Sequence, residues 1–180
     1  MNFYIEPIYA LDFTQMDDDD HAKVLEFRNH PSTSFWMYSK NISLASHLRF
    51  IEDLKKTPTS HYWLFKKNQI LLGVGSITRH NQTHHHAYLG IYKNPHLSNV
   101  GTEILSCLEH IGFEEFGLHS LHLEVMATNE KAIAFYQKHD YIREGKLLEF
   151  ICQDGTYRDV FIYGKINPKK NHHKSHQEES

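Results

Sequence analysis

The amino-acid sequence predicts a single α/β domain with a mixed central sheet of about seven strands and helices flanking it. Segments with apolar residues at the helical period alternate with short segments rich in Val, Ile, Phe and Tyr, in the order βααβββαβαββ. No internal repeat and no linker composition interrupt residues 1–167. The 180 residues, 40% of them hydrophobic, are enough to bury one core.

The N-terminal third of the chain predicts an edge strand and two amphipathic helices. "FYIEPIYAL" is typical of a strand, and Pro7 restricts that strand to a sheet edge or a bulge. The acidic run 17–20 suits the positive end of the helix "HAKVLEFRNHP", which Pro31 ends. The second helix, "SLASHLRFIEDLKK", has Ser43 as its predicted cap. Its predicted apolar stripe comprises Leu44, Leu48, Ile51 and Leu54.

The rest of the chain predicts a meander followed by two helix–strand units. The strands "HYWLFKK", "QILLGVGSITRH" and "THHHAYLGIY" are joined by turns at 67–68 and 81–82, which favours antiparallel pairing. A helix is expected over residues 99–116, then the strand "SLHLEVMA" and a short helix capped by Asn129. "YIREGKLLEFICQ" and "TYRDVFIYGKI" predict a closing hairpin that turns at 154–155.

Composition narrows the class of protein. The formal net charge of −3 gives no general attraction to nucleic acid. The sequence contains no apolar run long enough to cross a membrane and no signal-peptide pattern at its N-terminus. Cys107 and Cys152 are far apart and have no metal or redox spacing. We therefore expect a cytoplasmic protein with two free thiols and no nucleic-acid or membrane partner.

Histidine is unusually frequent, with sixteen residues in the chain. Three of them stand together at 84–86, in or beside a predicted hairpin turn, where alternate side chains face opposite sides of a strand. Three more lie in the polar segment 168–180, which we predict to be a disordered tail. We therefore expect solvent-facing histidines rather than a metal site.

Two local patterns carry more specific information. The first is a strand, loop and helix, "AYLGIYKNPHLSNVGTEILSCLEHIGF", and the second is a strand, Asn, helix and Tyr, "LHLEVMATNEKAIAFYQKHDYIREG". In this order they resemble the GCN5-related N-acetyltransferase (GNAT) family, although Asp140 replaces a usual Gly. The resemblance implies the GNAT fold, in which strands 4 and 5 splay apart. It also implies acetyl-CoA as co-substrate and no required metal.

The N-terminal "VLEFRNHPSTSFWM", followed by "SHLRFI", resembles the GNAT branch that modifies nucleotide-linked amino sugars, in particular the acetyltransferases of pseudaminic acid biosynthesis. That resemblance implies a UDP-linked 4-amino-4,6-dideoxy sugar as acceptor. The "RN" element also occurs in ribosomal-protein and polyamine acetyltransferases, which remain alternatives. A histidine-rich metal-binding protein and an acetyl-CoA-binding regulator are the alternatives without catalysis. Strand exposure at the splayed end of the sheet is compatible with a homodimer.

The resemblance assigns the pantetheine arm of the cofactor to the strand "AYLGIY". Leu89, Gly90 and Ile91 would bond it through their backbone, and Gly90 suits close approach of another chain-like group. The alternative is a glycine that relieves crowding in the core. Asn129, and Ala132 in the same motif, are expected beside the amide groups of that arm.

The pyrophosphate is expected at the helix start that follows "NPHLSNVGT", because a helix N-terminus favours anions. Relative to the family pattern, His96 replaces a Gln or Arg and Asn99 replaces a Gly. Asn enters left-handed backbone space more readily than most other residues, so Asn99 can hold the turn of that glycine. The expected N–H donors are those of Asn99, Val100, Gly101 and Thr102. An ordinary Asn-capped helix is the alternative.

The resemblance places the general acid at Tyr136, since a phenol is a competent donor to a departing thiolate. Glu124 is the candidate base, acting through water, but the strand period alone does not decide which face of the sheet it occupies. Removal of the amine proton by bulk water is the alternative. For a UDP group the cationic candidates are Arg28, His47 and Arg79. Thr78 and Tyr92 are expected to bond the sugar, and Trp36 to contact its methyl group.

Overall fold

The computed structural model describes residues 1–169, so most of the predicted tail lies outside the described residues. One sheet of eight strands has the spatial order β1-β2-β3-β4-β5-β6-β8-β7. The strands are β1 (Phe3–Ile5), β2 (Ile8–Asp12), β3 (His61–Lys67), β4 (Ile70–Asn81), β5 (His86–Lys93), β6 (Ser120–Met126), β7 (Ile142–Gln153) and β8 (Thr156–Ile166). The helices are α1 (Asp18–Asn29), α2 (Pro31–Ser34), α3 (Leu44–Leu54), α4 (Gly101–His110) and α5 (Glu130–Lys138).

The eighth strand comes from the N-terminus, where a single edge strand was expected. The chain turns back at Glu6–Pro7, so that β1 pairs antiparallel with β2 and becomes the outer edge of the sheet. Proline supplies no N–H to a ladder, and a position between two short strands satisfies that restriction. The strands counted as 4 and 5 in the prediction are therefore β5 and β6.

The splay predicted between these two strands is confirmed. β5 and β6 run parallel and pair at three positions, His86 with Ser120, Ala87 with Leu121 and Tyr88 with His122. From Leu89 to Lys93, β5 pairs only with β4 among the described residues. All other neighbouring strands pair antiparallel, which confirms the predicted meander and the closing hairpin.

Helix starts follow the sequence closely. The Asp17 carboxylate accepts a hydrogen bond from the N–H of Asp20 at 2.8 Å, which makes Asp17 the cap of α1. Ser43 caps α3 by accepting from the N–H of Ser46 at 3.1 Å. Pro31 ends the first helical pattern as predicted and opens the short α2. The predicted 99–116 helix is α4 followed by a π-helical turn, Ile111–Glu115.

The predicted apolar stripe of α3 is wrong in part. Leu44 and Leu48 are 51% and 42% exposed, and the buried residues of α3 are His47, Ile51 and Leu54. Both sets have the spacing of a helix face, so the period alone does not choose between them. The buried set joins a cluster with Phe13, on the side of the sheet that α1 also covers.

The sheet has two differently packed faces. Its α4 face packs against α4 and α5 in the main core, which includes Trp63, Leu108, Leu121, Leu123 and Tyr136. Its α1 face packs against α1 and α3 over a smaller cluster. Because side chains alternate along a strand, each position of β6 belongs to one of these faces.

Within the described residues the two cysteines are free thiols, Cys107 buried and Cys152 exposed, as expected. No helix of residues 1–169 is long and apolar enough to cross a membrane.

Candidate active site

The free side of β5 borders the opening in the sheet. Successive backbone N–H groups of a strand point to opposite sides, so part of the Leu89–Ile91 backbone faces away from β4 and toward the opening. A Cβ at Gly90 would lie 2.9 Å from Ser76 Oγ. This close contact favours the alternative in which Gly90 relieves crowding. The backbone of Leu89–Ile91 is nevertheless unpaired with β6 and accessible on that side of β5.

The start of α4 has the geometry of an anion site. Asn99 has φ +61°, the left-handed conformation that the missing glycine was expected to require. Val100 is the N-cap residue, and no side chain caps the helix. The Asn-capped helix considered from the sequence is therefore not what the structure contains. The first N–H groups of α4 lack intrahelical acceptors and are positioned to bond an anion.

Gly101 is the first residue of α4, and Thr102 connects that helix to α5. A Cβ at Gly101 would lie 3.4 Å from the Phe135 ring, an ordinary contact. The Thr102 hydroxyl is 3.1 Å from the Nε2 atom of His139. Packing inside the fold therefore does not require a glycine at position 101. The lack of a side chain instead leaves room on the solvent side of the helix start, where a phosphate would approach.

Helix α5 carries the predicted acid. Asn129 caps the helix by accepting from the N–H of Ala132 at 3.2 Å, which is the predicted capping role. Tyr136 is 8% exposed, and its ring makes edge contacts with Phe135 and Tyr141. Burial raises the pKa of Tyr136 above its ordinary value, so this phenol holds its proton at neutral pH.

Glu124 faces the α1 side of the sheet, opposite to Leu123 and Val125, which settles the question left open by the strand period. Its two carboxylate oxygens are both engaged. Oε1 accepts from Arg79 Nη1 at 2.7 Å, and Oε2 accepts from the Tyr38 hydroxyl at 2.5 Å. The Glu124 side chain is only 11% exposed. The carboxylate is thus held in a fixed orientation.

Tyr38 was not predicted as a site residue. It lies in the irregular segment between α2 and α3, and its contact with Glu124 joins residues 86 positions apart. Burial and the Glu124 carboxylate together raise the pKa of Tyr38. Neither periodicity nor a local motif distinguishes this tyrosine, so no signal in the sequence indicated it.

Arg79 occupies a bulge of β4 with φ +51°, and its guanidinium lies 4.4 Å from the centre of the Tyr88 ring. The hydrogen bond that Arg79 donates to Glu124 raises the pKa of Arg79, whose charge is balanced by that carboxylate. Thr78, next to it, donates to the carbonyl of Tyr88 at 3.3 Å. The structure therefore brings Thr78, Arg79 and Glu124 together.

Arg28 on α1 is only partly satisfied. Its Nη2 atom donates to the carbonyl of Ser39 at 2.6 Å, whereas its buried Nη1 atom has no partner among the described residues. Burial lowers the pKa of Arg28, and the nearby Tyr92 phenol opposes that shift. A buried donor without an acceptor is rare in proteins. The predicted contact of Arg28 with a UDP group stays a prediction.

The predicted cationic role of His47 does not fit the structure. His47 is 3% exposed, and its Nε2 atom lies 3.2 Å from Nδ1 of His21 between α3 and α1. Burial and His21 lower the pKa of His47. Trp36 packs on a third cluster formed by Met126, Ile151 and Val160. The predicted contact of Trp36 with a sugar methyl group stays a prediction.

A parallel pair of strands that opens beside an uncapped helix start defines the class of the acetyl-CoA-dependent N-acetyltransferases, and this protein is one of them. The chain belongs to the Acetyltransferase (GNAT) family, whose model matches residues 24–141. The resemblance found in the sequence is thereby confirmed.

Two curated relatives are similar to this chain in sequence. Acetyltransferase PseH of Campylobacter jejuni is 28% identical over 142 residues, which cover 78% of this chain and 89% of the relative. Spermidine N(1)-acetyltransferase of Vibrio cholerae is 28% identical over 128 residues, covering 69% of this chain and 66% of the relative.

Solved structures are similar in fold. The C. jejuni N-acetyltransferase PseH in complex with acetyl coenzyme A has a TM-score of 0.70 at 19% identity, covering 89% of this chain and 99% of that one. The V. cholerae spermidine N-acetyltransferase with CoA and spermine has a TM-score of 0.80 at 17% identity, covering 90% and 96%. At such identities these likenesses show the fold alone, and they do not choose the acceptor.

Replacing Gly101 tests the anion site. Gly101→Val should abolish acetyl-CoA binding by calorimetry, because a branched side chain would occupy the space of the phosphate. The fold should be retained, since the nearest ring lies at contact distance. Gly145→Val is a matched control on β7, where a Cβ would meet nothing within 4 Å. Wild-type affinity in Gly101→Val would show that phosphate does not bind here.

His47 predicts a pH dependence of stability. Its pKa is lowered in the folded state, whereas in the unfolded chain it is about 6.5. Below that pH the unfolded state binds the extra proton, so the free energy of unfolding falls as the solution is acidified. Urea unfolding of wild type and His47→Gln at pH values of about 7.5, 6.5 and 5.5 measures this dependence. The variant should lose part of the slope, and an identical slope would contradict the assignment.

Proposed function

We propose that this protein acetylates the 4-amino group of UDP-4-amino-4,6-dideoxy-N-acetyl-β-L-altrosamine, acting in the cytoplasm in pseudaminic acid biosynthesis for flagellin glycosylation. The proposal rests on the resemblance of the N-terminal half to that branch of the family and on the similarity to PseH over most of both chains. One structural observation supports an anionic acceptor most directly, namely the buried and unpartnered Nη1 atom of Arg28.

The charges of the α1 face favour a nucleotide sugar over a polyamine. A polycationic acceptor needs carboxylates whose charge is not already balanced, and Arg79 balances that of Glu124. Each Glu124 oxygen has one donor and keeps a lone pair that can accept from a water or a single neutral amine. Arg28 adds a cation that a polyamine would avoid and a diphosphate would bond. Spermidine remains the second candidate because of the similarity to the V. cholerae enzyme in sequence and fold.

The reaction we propose is direct transfer within a ternary complex. The neutral 4-amine attacks the thioester carbon, a C–N bond forms and the C–S bond breaks. Tyr136 gives its proton to the departing sulfur. Glu124 orients the amine and receives its proton through water, with bulk water as the alternative acceptor. The N–H groups at the start of α4 would hold the pyrophosphate of acetyl-CoA, and the β5 edge its pantetheine arm.

Tyr136 and Glu124 lie on opposite faces of the sheet, Tyr136 in the α4-face core and Glu124 on the α1 face. This separation supports a mechanism in which the thioester and the amine reach the same opening from two sides. A homodimer and the positions of further acceptor contacts remain predictions.

The acceptor is tested by incubating the protein with acetyl-CoA and a panel of amines while thiol release is followed. The panel contains UDP-4-amino sugars, spermidine and an N-terminal ribosomal-protein peptide. We expect turnover with the UDP-4-amino sugar at a kcat/KM at least tenfold above the other amines. Turnover confined to spermidine or to the peptide would refute the proposed acceptor.

Arg28 should control the affinity for the nucleotide part. A hydrogen bond to a charged group contributes about 1.5–3 kcal/mol, so Arg28→Met should raise the KM for the UDP-amino sugar roughly 10- to 100-fold. The KM for acetyl-CoA should not change. Arg49→Met, at an exposed position of α3, is the matched control. An unchanged KM in Arg28→Met would remove Arg28 from the acceptor site.

A further inference from the structure

The segment that joins α2 to α3 crosses the α1 face of the sheet, and residues 35–42 are here called the crossing segment. It contains no strand and no regular helix. Its first residues are bonded to the end of α2, where Trp36 and Met37 donate to backbone carbonyls. The segment is also held by side chains that reach it from other elements, and one of these is Gln153.

Gln153 lies at the end of β7, more than 110 residues from the crossing segment in sequence. It is 7% exposed, and its Nε2 atom donates to two backbone carbonyls, that of Phe35 at 3.0 Å and that of Met37 at 3.1 Å. Both amide hydrogens of one buried side chain are thus used on carbonyls two residues apart. This arrangement fixes the backbone on both sides of Trp36.

Tyr38 follows directly after the second of these carbonyls. Its hydroxyl donates to Oε2 of Glu124 at 2.5 Å, and its ring contacts Phe150 of β7 with a centroid distance of 6.5 Å. Once its backbone is fixed, the hydroxyl of a tyrosine can reach only a few positions, because two side-chain torsions with few preferred values remain. The position of the Met37 carbonyl therefore restricts where the Tyr38 hydroxyl can lie relative to the Glu124 carboxylate.

Within the described residues, the crossing segment has three other attachments. Arg28 donates to the carbonyl of Ser39 at 2.6 Å, on the C-terminal side of Tyr38. Asn29 brackets the backbone of Ile42 with two hydrogen bonds of 2.8 and 2.9 Å, which fixes the far end. Lys40 forms an ion pair with Asp154 at the tip of the hairpin, but both side chains are more than half exposed. Exposed pairs contribute little, so this one is a weak attachment. Of these attachments, Gln153 is the one that holds the backbone on the N-terminal side of Tyr38.

We propose that Gln153 is a positioning residue for acetyl transfer, which holds the Tyr38 hydroxyl on Glu124 through the carbonyls of Phe35 and Met37. It does not itself touch either substrate. The inference rests on the proposed role of Glu124 in orienting the acceptor amine. It gives the β7–β8 hairpin a function in the reaction, through the backbone of the crossing segment.

A double-mutant cycle tests this inference. Gln153→Leu and Gln153→Met both remove the donors, and the second keeps the length of the side chain without burying a charge, in case the first impairs folding. Each should lower kcat about 10- to 100-fold, the cost of a misplaced group, with the KM for acetyl-CoA unchanged. In a Tyr38→Phe background the same changes should have no further effect on kcat, because the hydrogen bond they support is already lost.

Tryptophan fluorescence gives a second readout, because Trp36 lies between the two bonded carbonyls and the only other tryptophan, Trp63, is fully buried. Acrylamide should quench Trp36 more strongly in the Gln153 variants than in wild type. Asp154→Asn is the matched control in the same hairpin and should change neither kcat nor quenching. Thermal unfolding checks that each variant is folded.

The inference is overturned if the Gln153 variants keep wild-type kcat, if their effect is equally large in the Tyr38→Phe background, or if Trp36 quenching is unchanged. The kinetic cycle uses whichever amine of the panel the wild-type enzyme acetylates. A failure of the proposed acceptor would appear as absent wild-type turnover of the UDP-amino sugar. It is therefore distinguishable from a failure of the role of Gln153.

Discussion

The rest of the structure depends on the early end of pairing between β5 and β6. After three paired positions the strands diverge. From Leu89 onward, β5 pairs only with β4 among the described residues. Backbone polar groups in such a place need a partner, which a ligand with amide groups can provide. The uncapped start of α4 supplies N–H donors for an anion. The protein can therefore bond both the amide groups and the pyrophosphate of acetyl-CoA.

The two faces of the sheet divide the chemistry around this opening. The α4 face holds Tyr136 in the main core, where burial keeps the phenol protonated. The α1 face holds Glu124, fixed by Arg79 and Tyr38, with the unpartnered guanidinium atom of Arg28 on α1. Donor and acceptor would therefore approach from opposite sides, which suits direct transfer without an acetylated protein side chain.

Local signals in the sequence were sufficient for most of the fold. Caps at Asp17, Ser43 and Asn129 and the left-handed conformation of Asn99 follow from side-chain and backbone chemistry within a few residues. The contacts of Glu124 were not predictable in this way. Arg79 is 45 residues away from Glu124 and Tyr38 is 86, and neither lies in a periodic pattern that points to it.

The errors have the same origin. The predicted face of α3 and the cationic role of His47 failed together, because two equally spaced sets of residues compete for the buried side of that helix. Only tertiary packing chooses between them. The extra N-terminal strand was missed because the two-residue turn Glu6–Pro7 lacks the Asn-Gly or Asp-Gly pair that usually marks such a hairpin. Residues whose roles depend on long-range contacts therefore require the structure.

Amide hydrogen exchange along β5, with and without acetyl-CoA, tests the central claim most directly. The account predicts fast exchange for at least one amide among Leu89, Gly90 and Ile91 in the unliganded protein, and strong protection there and at the start of α4 when acetyl-CoA is bound. Slow exchange at all of these positions without ligand, or protection by acetyl-CoA elsewhere and not at β5, would contradict it.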